Sequence, residues 1–233
     1  MTLHSSSEPI IPKHEPVFFL PPVVIFFAAV CGGLYFLQTY VFDTQANYLT
    51  TLYGAFIPLR YHESGPAFDL SFFTTPVTYS LLHASFAHVA INMIWLAAFG
   101  APLAQRIGSV RFVMFWIATS IGAAALHYVL YATSAVPLVG ASGAISGMMG
   151  AAARFAFKTD GRAGPRAFLG RPLSFVQAMT NRTVVTFVAV WMVVNLISGL
   201  GFLIPTEGSS GIAWEAHMGG FLVGFFCLRF FDR

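Results

Sequence analysis

Charged residues are scarce in this sequence: Asp, Glu, Lys and Arg make up 9% of its 233 residues, against roughly a quarter in a soluble domain. A surface that faces water on every side cannot be assembled from that supply, which excludes a soluble globular protein and a basic nucleic-acid-binding domain. With 57% hydrophobic residues a disordered chain is excluded as well. Cysteine is scarce too. Cys31 and Cys227 lie in apolar runs near opposite ends of the chain, where thiols act as small hydrophobes, so neither a disulfide framework nor a metal pair is read from them. The His-Glu-x-x-His pattern of helical metalloproteases is also missing, and no metal or other cofactor is expected.

What is present is a series of apolar runs, and the composition points to an integral membrane protein. A membrane-spanning helix needs roughly 20 mainly apolar residues, and such stretches occur at about 17–42, 81–104, 112–131, 139–157, 183–204 and 212–230. The runs are continuous rather than alternating, so helices are expected and a β-barrel is not. Residues 28–32 are similar to a lipoprotein cleavage site, but the surrounding apolar run exceeds the roughly 7 to 15 residues of a signal peptide, and it is read as a retained span. The expected organisation is a short cytoplasmic tail over 1–16 and one membrane domain over 17–231. The longer connections, 43–80 and 158–182, have room for small elements, and the first reads as a loop partly sunk into the interface.

The positive-inside rule sets the expected orientation. With the N-terminus in the cytoplasm, Lys13, Arg106, Arg111, Arg154, Lys158, Arg162, Arg166, Arg171, Arg182, Arg229 and Arg233 fall on the inner side and only Arg60 outside. Asp43, Glu63, Asp69, Glu207 and Glu215 then lie on the outer side. Both termini are expected inside.

Ionisable or amide side chains within a span are costly and serve as functional-site candidates by default. His83, His88 and Asn92 fall in the second stretch, His127 in the third, Arg154 in the fourth, Asn195 in the fifth and His217 in the sixth. Arg154 can snorkel, and interhelical hydrogen bonds are the expected state of His127 and Asn195. His88 and Asn92, four apart, share a helix face, whereas His83 is expected to point off that line. Two donors on one face suit a developing negative charge. Ser142 opens the fourth stretch at an expected helix N-terminus, where free N–H groups favour an anion, and Gly143 and Gly147 form a close-packing stripe behind it. Ala216, Gly220 and Gly224 repeat at four-residue intervals in the last stretch with His217 beside them. Were the two small-residue faces to meet, the imidazole would reach the hydroxyl and give an activated nucleophile.

Gly140-Ala141-Ser142-Gly143, the His83, His88, Asn92 and Met93 pattern, and Ala216-His217 followed by Gly220 and Gly224 together resemble the rhomboid family of intramembrane serine proteases, in its six-span bacterial form. The resemblance runs from about Val17 to Phe231. It implies an all-α polytopic bundle of six transmembrane helices whose short fourth helix carries the nucleophile. It implies Ser142 as nucleophile and His217 as its base in a dyad, His88 and Asn92 as oxyanion stabilisers, and His83, Gly140, Gly143, Gly220 and Gly224 as structural support. The implied reaction is hydrolysis of peptide bonds in or near transmembrane segments of single-pass membrane proteins. The lipid bilayer is the other expected partner, and the expected location is a bacterial inner membrane with the site opening outward. The stretch 205–213 resembles the family's mobile cap, and substrate entry is expected beside it, between the second and fifth helices.

The chain also departs from the family pattern. Thr74 and Thr75 occupy first-loop positions where the family often has a Trp-Arg pair, Tyr79 replaces an earlier histidine, and Ser146 replaces an aromatic ring expected under the catalytic histidine. Three other readings compete. A catalytically silent relative that binds membrane clients would lack the serine or histidine; a metalloprotease using His83, His88 and His217 lacks its motif; a transporter would place its polar groups nearer the midplane.

Overall fold

A computed structural model describes residues 20–62, 69–157, 170–199 and 213–232. The expected N-terminal tail over 1–16, residues 158–169 of the basic connection over 158–182 and all but the last residue of the cap-like stretch 205–213 lie outside the described residues. Those described are helical, with a single isolated bridge between Phe56 and Leu138 in place of any sheet.

Four helical stretches are long and apolar enough to cross a membrane: α1 (Pro22–Tyr40), Phe86–Ile107, α7 (Ser109–Tyr131) and α10 (Arg182–Gly199). α1 starts on Pro22, whose fixed φ suits a first helical turn and whose missing N–H costs nothing there. The second stretch is composite: α5 (Phe86–Trp95), a π-helical turn over Leu96–Gly100, and α6 (Ala101–Ile107). Pro102 cannot donate to the Ala98 carbonyl and crowds it, and the turn just before it widens.

This stretch also corrects an expectation. It begins at Phe86 rather than 81, because the Ser85 hydroxyl caps it by accepting the His88 N–H at 3.2 Å. His83 therefore precedes the helix instead of pointing off its far side.

Two further helices stand at the remaining apolar runs. α8 (Ser142–Phe155) has 14 residues and rises only about 21 Å at 1.5 Å per residue, against roughly 30 Å of hydrocarbon. α11 (Trp214–Phe231) has 18 residues and includes Glu215 and Arg229. α8 is the centre of the molecule, with twelve of its residues buried, packed along α11 and α7. Large side chains from α1, α6 and α7, among them Phe27, Leu103, Phe112 and Trp116, close the core around Met148 and Ile145.

The described part of the connection between α1 and α5 holds small helices, for which its length left room. It forms α2 (Thr44–Gly54), α3 (Leu59–His62) and α4 (Leu70–Thr78), then a tight 3₁₀ turn at Tyr79–Leu81. Asp43 and Asp69 cap α2 and α4 through the N–H groups of Ala46 and Phe72. The Ser71 hydroxyl also bonds the exposed Asp69 carboxylate and, with the cap, holds its pKa below the usual value. Thr75, one of the departures noted above, is fully buried and bonds the Tyr61 hydroxyl at 2.7 Å. Tyr61 donates to the Phe72 carbonyl, Thr78 to that of Gly54, and an Arg60 guanidinium N–H to that of Leu52. The loop thus has its own anchors in place of a Trp-Arg pair.

Arginines at the Phe155 end of α8 also hold structure. Arg106 forms a bidentate pair with Asp232 at 2.8 and 2.6 Å and donates to the Gly170 carbonyl. Arg154 donates to the carbonyls of Leu173 and Phe225. Beyond them α9 (Phe175–Thr180) starts with a reciprocal capping box between Ser174 and Gln177.

Candidate active site

The site begins with a turn that only glycine can make. Gly140 has φ +124°, outside the range of L side chains, and a Cβ there would also lie 2.7 Å from Cε1 and Nε2 of His88. Its N–H donates to the Tyr79 carbonyl at 3.0 Å, and the Ala141 N–H points to Nε2 of His83 at 3.5 Å. These contacts tie the segment ahead of α8 to the end of the first loop and deliver Ser142 as the first residue of the helix. The buried Tyr79 ring reaches α7, where its hydroxyl donates to the Ser120 carbonyl at 3.0 Å.

His217 lies in the first turn of α11. Its Nε2 is 2.7 Å from Oγ of Ser142, and both residues are half-buried. Side chains of ordinary size between α8 and α11 would keep them apart. Instead, a Cβ on Gly220 would overlap the Gly143 carbonyl, one on Gly224 the Gly147 carbonyl, and one on Gly150 the Phe221 carbonyl. The small-residue faces of the two helices meet backbone to backbone. α7 joins the same packing, since Gly219 has no room for a Cβ beside the Gly122 carbonyl, nor Gly143 beside the Ala123 side chain.

The second-helix residues surround this pair unequally. The rings of His83 and His88 are 5.0 Å apart, although His83 precedes the helix. Nε2 of His83 accepts from the loop before Ser142, and its buried Nδ1 has no hydrogen-bond partner within ordinary distance among the described residues. The His88 ring borders Gly140, next to Ser142. Asn92 is buried on α5 and donates to the His88 carbonyl at 2.9 Å, which leaves its second amide proton for another acceptor. Ser146, one turn after Ser142, is buried and makes no hydrogen bond to His217 among the described residues.

The interhelical hydrogen bonds expected of Asn195 and His127 are both present, and both are made with residues of the first turn of α11. Oδ1 of Asn195, from α10, is 2.6 Å from His217 Nδ1, and the same amide donates to the Trp214 carbonyl at 3.0 Å. The bond expected of Asn195 is therefore made with the candidate base itself. Glu215, expected on the outer side, is 2% exposed and pairs with Nδ1 of His127 on α7 at 2.6 Å. The only signal for either was a lone polar residue in an apolar run. No cluster of three metal-ligating side chains occurs among the described residues.

The arrangement can remove a proton from a serine hydroxyl within an apolar bundle and hold the resulting imidazolium in place. The chain is 31% identical over 152 residues to Rhomboid protease GluP of Bacillus subtilis (strain 168), an alignment covering 65% of this chain and 24% of that protein. It is 28% identical over 145 residues to RHOMBOID-like protein 5 of Arabidopsis thaliana, covering 62% of this chain and 40% of that one. The chain thus spans well under half the length of either relative. The rhomboid domain itself matches residues 72–231, from α4 through α11. With its apolar helices and this match over more than half its length, the protein is an integral, multi-pass membrane protein that belongs to the rhomboid family.

Proposed function

We propose that the chain is an intramembrane serine endopeptidase that hydrolyses peptide bonds in or near transmembrane segments of other membrane proteins. The observation that carries this reading is the 2.7 Å contact between Ser142 Oγ and His217 Nε2 at the buried α8–α11 crossing. The protease name of the Bacillus relative supports it. In this reading α8 and α11 complete a bundle of six spans, the termini are cytoplasmic, and the site opens to the outer side of a bacterial inner membrane.

The geometry supports the following mechanism. His217 takes the Ser142 proton through Nε2 as Oγ attacks a substrate carbonyl. A helical substrate hides its carbonyls in its own hydrogen bonds, so the bound segment has to be unwound where it meets Ser142; single-pass proteins with helix-breaking or small residues near the outer face fit that need. The tetrahedral oxyanion is held by N–H groups at the start of α8, by the His88 ring and by the free amide proton of Asn92. Protonated His217 then gives its proton to the leaving amine, and water, activated by the same imidazole, clears the acyl-enzyme. Loss of one oxyanion donor is expected to lower turnover about 100-fold to 1,000-fold.

Purified protein in liposomes with a labelled single-pass substrate tests the reading. Ser142→Ala and His217→Ala are expected to abolish cleavage, and Ser146→Ala to retain it. A fluorophosphonate probe is expected to label Ser142 alone. Undiminished cleavage by Ser142→Ala would sink the assignment, while absence of both cleavage and labelling in the unmutated protein would favour a silent family member that only binds its clients.

A further inference from the structure

Asn195 is out of keeping with the helix that carries it. Only two of the 18 residues of α10 are buried, Val184 and Asn195, and the rest are half-buried or exposed, with apolar side chains such as Val190, Val193 and Val194 among the exposed ones. An amide placed on the one inward-facing line of such a helix needs both of its polar ends satisfied. They are satisfied asymmetrically. Nδ2 faces the carbonyl oxygen of Trp214, which can only accept, so the NH2 group is fixed on that side. The atom 2.6 Å from His217 Nδ1 is consequently the amide oxygen, which cannot donate. Nδ1 therefore carries the proton of the neutral imidazole, and Nε2, facing Ser142 Oγ at 2.7 Å, keeps the lone pair.

We propose that Asn195 is a positioning residue for the reaction: its amide, locked by the Trp214 carbonyl, selects the His217 tautomer and ring orientation that make Nε2 a base toward Ser142. This role rests on the serine-protease reading above. It changes the expected pair into a serine–histidine–asparagine relay, the neutral-amide version of the arrangement in which an acid orients the histidine. Being uncharged, Asn195 orients the imidazolium that forms in the reaction but adds no counter-charge. The titratable groups around His217 are His88, across the site on α5, and Glu215, which is paired with His127 of α7. Neither bonds Nδ1. Phe221 of α11 stacks on Trp191, one turn before Asn195 on α10, with ring centroids 4.5 Å apart, and fixes the register in which the amide meets the imidazole.

The test uses the full-length protein in liposomes. Asn195→Ala and Asn195→Leu are expected to lower kcat about 10-fold to 100-fold with KM little changed, less than the full loss of general-base catalysis. Fluorophosphonate labelling of Ser142 should slow in parallel. Asn195→Asp retains an acceptor for Nδ1–H and should recover most of kcat. Its negative charge favours the imidazolium, so the base is lost at higher pH and the acid limb of the kcat/KM profile should move upward. A residue serving only as interhelical glue would change the amount of folded protein but neither kcat per labelled site nor the pH profile. If Asn195→Ala and Asn195→Leu match the unmutated protein in both while Ser142→Ala is inactive, the positioning role is overturned and the serine reading stands. Cleavage by Ser142→Ala overturns the serine reading, and this role with it. Should the variants fail to fold, ¹⁵N-histidine NMR of the unmutated protein decides: a neutral His217 protonated at Nδ1 supports the role, and one protonated at Nε2 overturns it.

Discussion

α8 and α10 both contribute to the surroundings of His217, yet they are held in opposite ways. α8 buries twelve of its 14 residues and touches α11 through glycine and carbonyl atoms, whereas α10 buries two of 18 and is otherwise coated with apolar side chains suited to lipid. The candidate nucleophile is thus carried by the most constrained helix, and the group that orients the base by one of the least constrained. Sequence change should therefore be tolerated very differently on the two sides of the imidazole.

The sharpest way to break this contrast is Gly224→Leu. Its side chain would have to displace the Gly147 carbonyl, a backbone group with no rotamer to move, so the expected loss is on the order of 4 kcal/mol or more, at the exceptional end for a point substitution. Thermal unfolding in detergent micelles, with loss of Ser142 labelling, checks it. A well-folded, labelled variant would show that the crossing is looser than described. Next comes Glu215→Ala, which leaves His127 buried beside α11 with one nitrogen newly unpaired and is expected to cost about 1–3 kcal/mol. Glu215→Gln keeps an acceptor and should cost less, and the two midpoints measured side by side give the difference. The smallest effect belongs to α10: Val190→Ala, on an exposed position, should shift stability by no more than about 0.5 kcal/mol. A large loss there would mean that this face is covered rather than turned to lipid.

Ser142, His217 and the glycines were legible because each occurs at a spacing whose purpose is local. Small residues every four positions describe a helix face, and a serine ahead of such a face marks where the helix starts. Asn195 was visible only as an isolated amide, since nothing in an apolar run announces a partner 22 residues further on. The depth of Glu215 was not legible because a topology count assigns sides and not depths, and one helical turn separates an exposed carboxylate from a buried one. His83 was set on a helix because the apolar run continues through it, although Ser85 carries the cap that starts the helix later. The first loop showed room for small elements by its length, and Asp43 and Asp69, which cap two of its helices, were the signals of where they start. A short fourth helix was expected only through the family resemblance, since nothing in the Gly- and Ala-rich sequence of α8 marks its length, and the positive φ of Gly140 appears only in three dimensions.

The backbone contact between α8 and α11 also bears on how the protein should respond to its surroundings. Bilayers of different thickness change the tilt of helices that meet lipid directly. Where two helices meet glycine against carbonyl, as at Gly143–Gly220 and Gly147–Gly224, no side chain stands between the backbones at those points to compress or re-rotamerise and absorb such a change. The interatomic spacing of hydroxyl and imidazole is then a property of peptide geometry, as in a rigid ruler, while the lipid-clad helices flex around it. Thicker or thinner membranes should alter how readily a substrate arrives and leave the intrinsic reactivity of Ser142 toward a small probe almost constant.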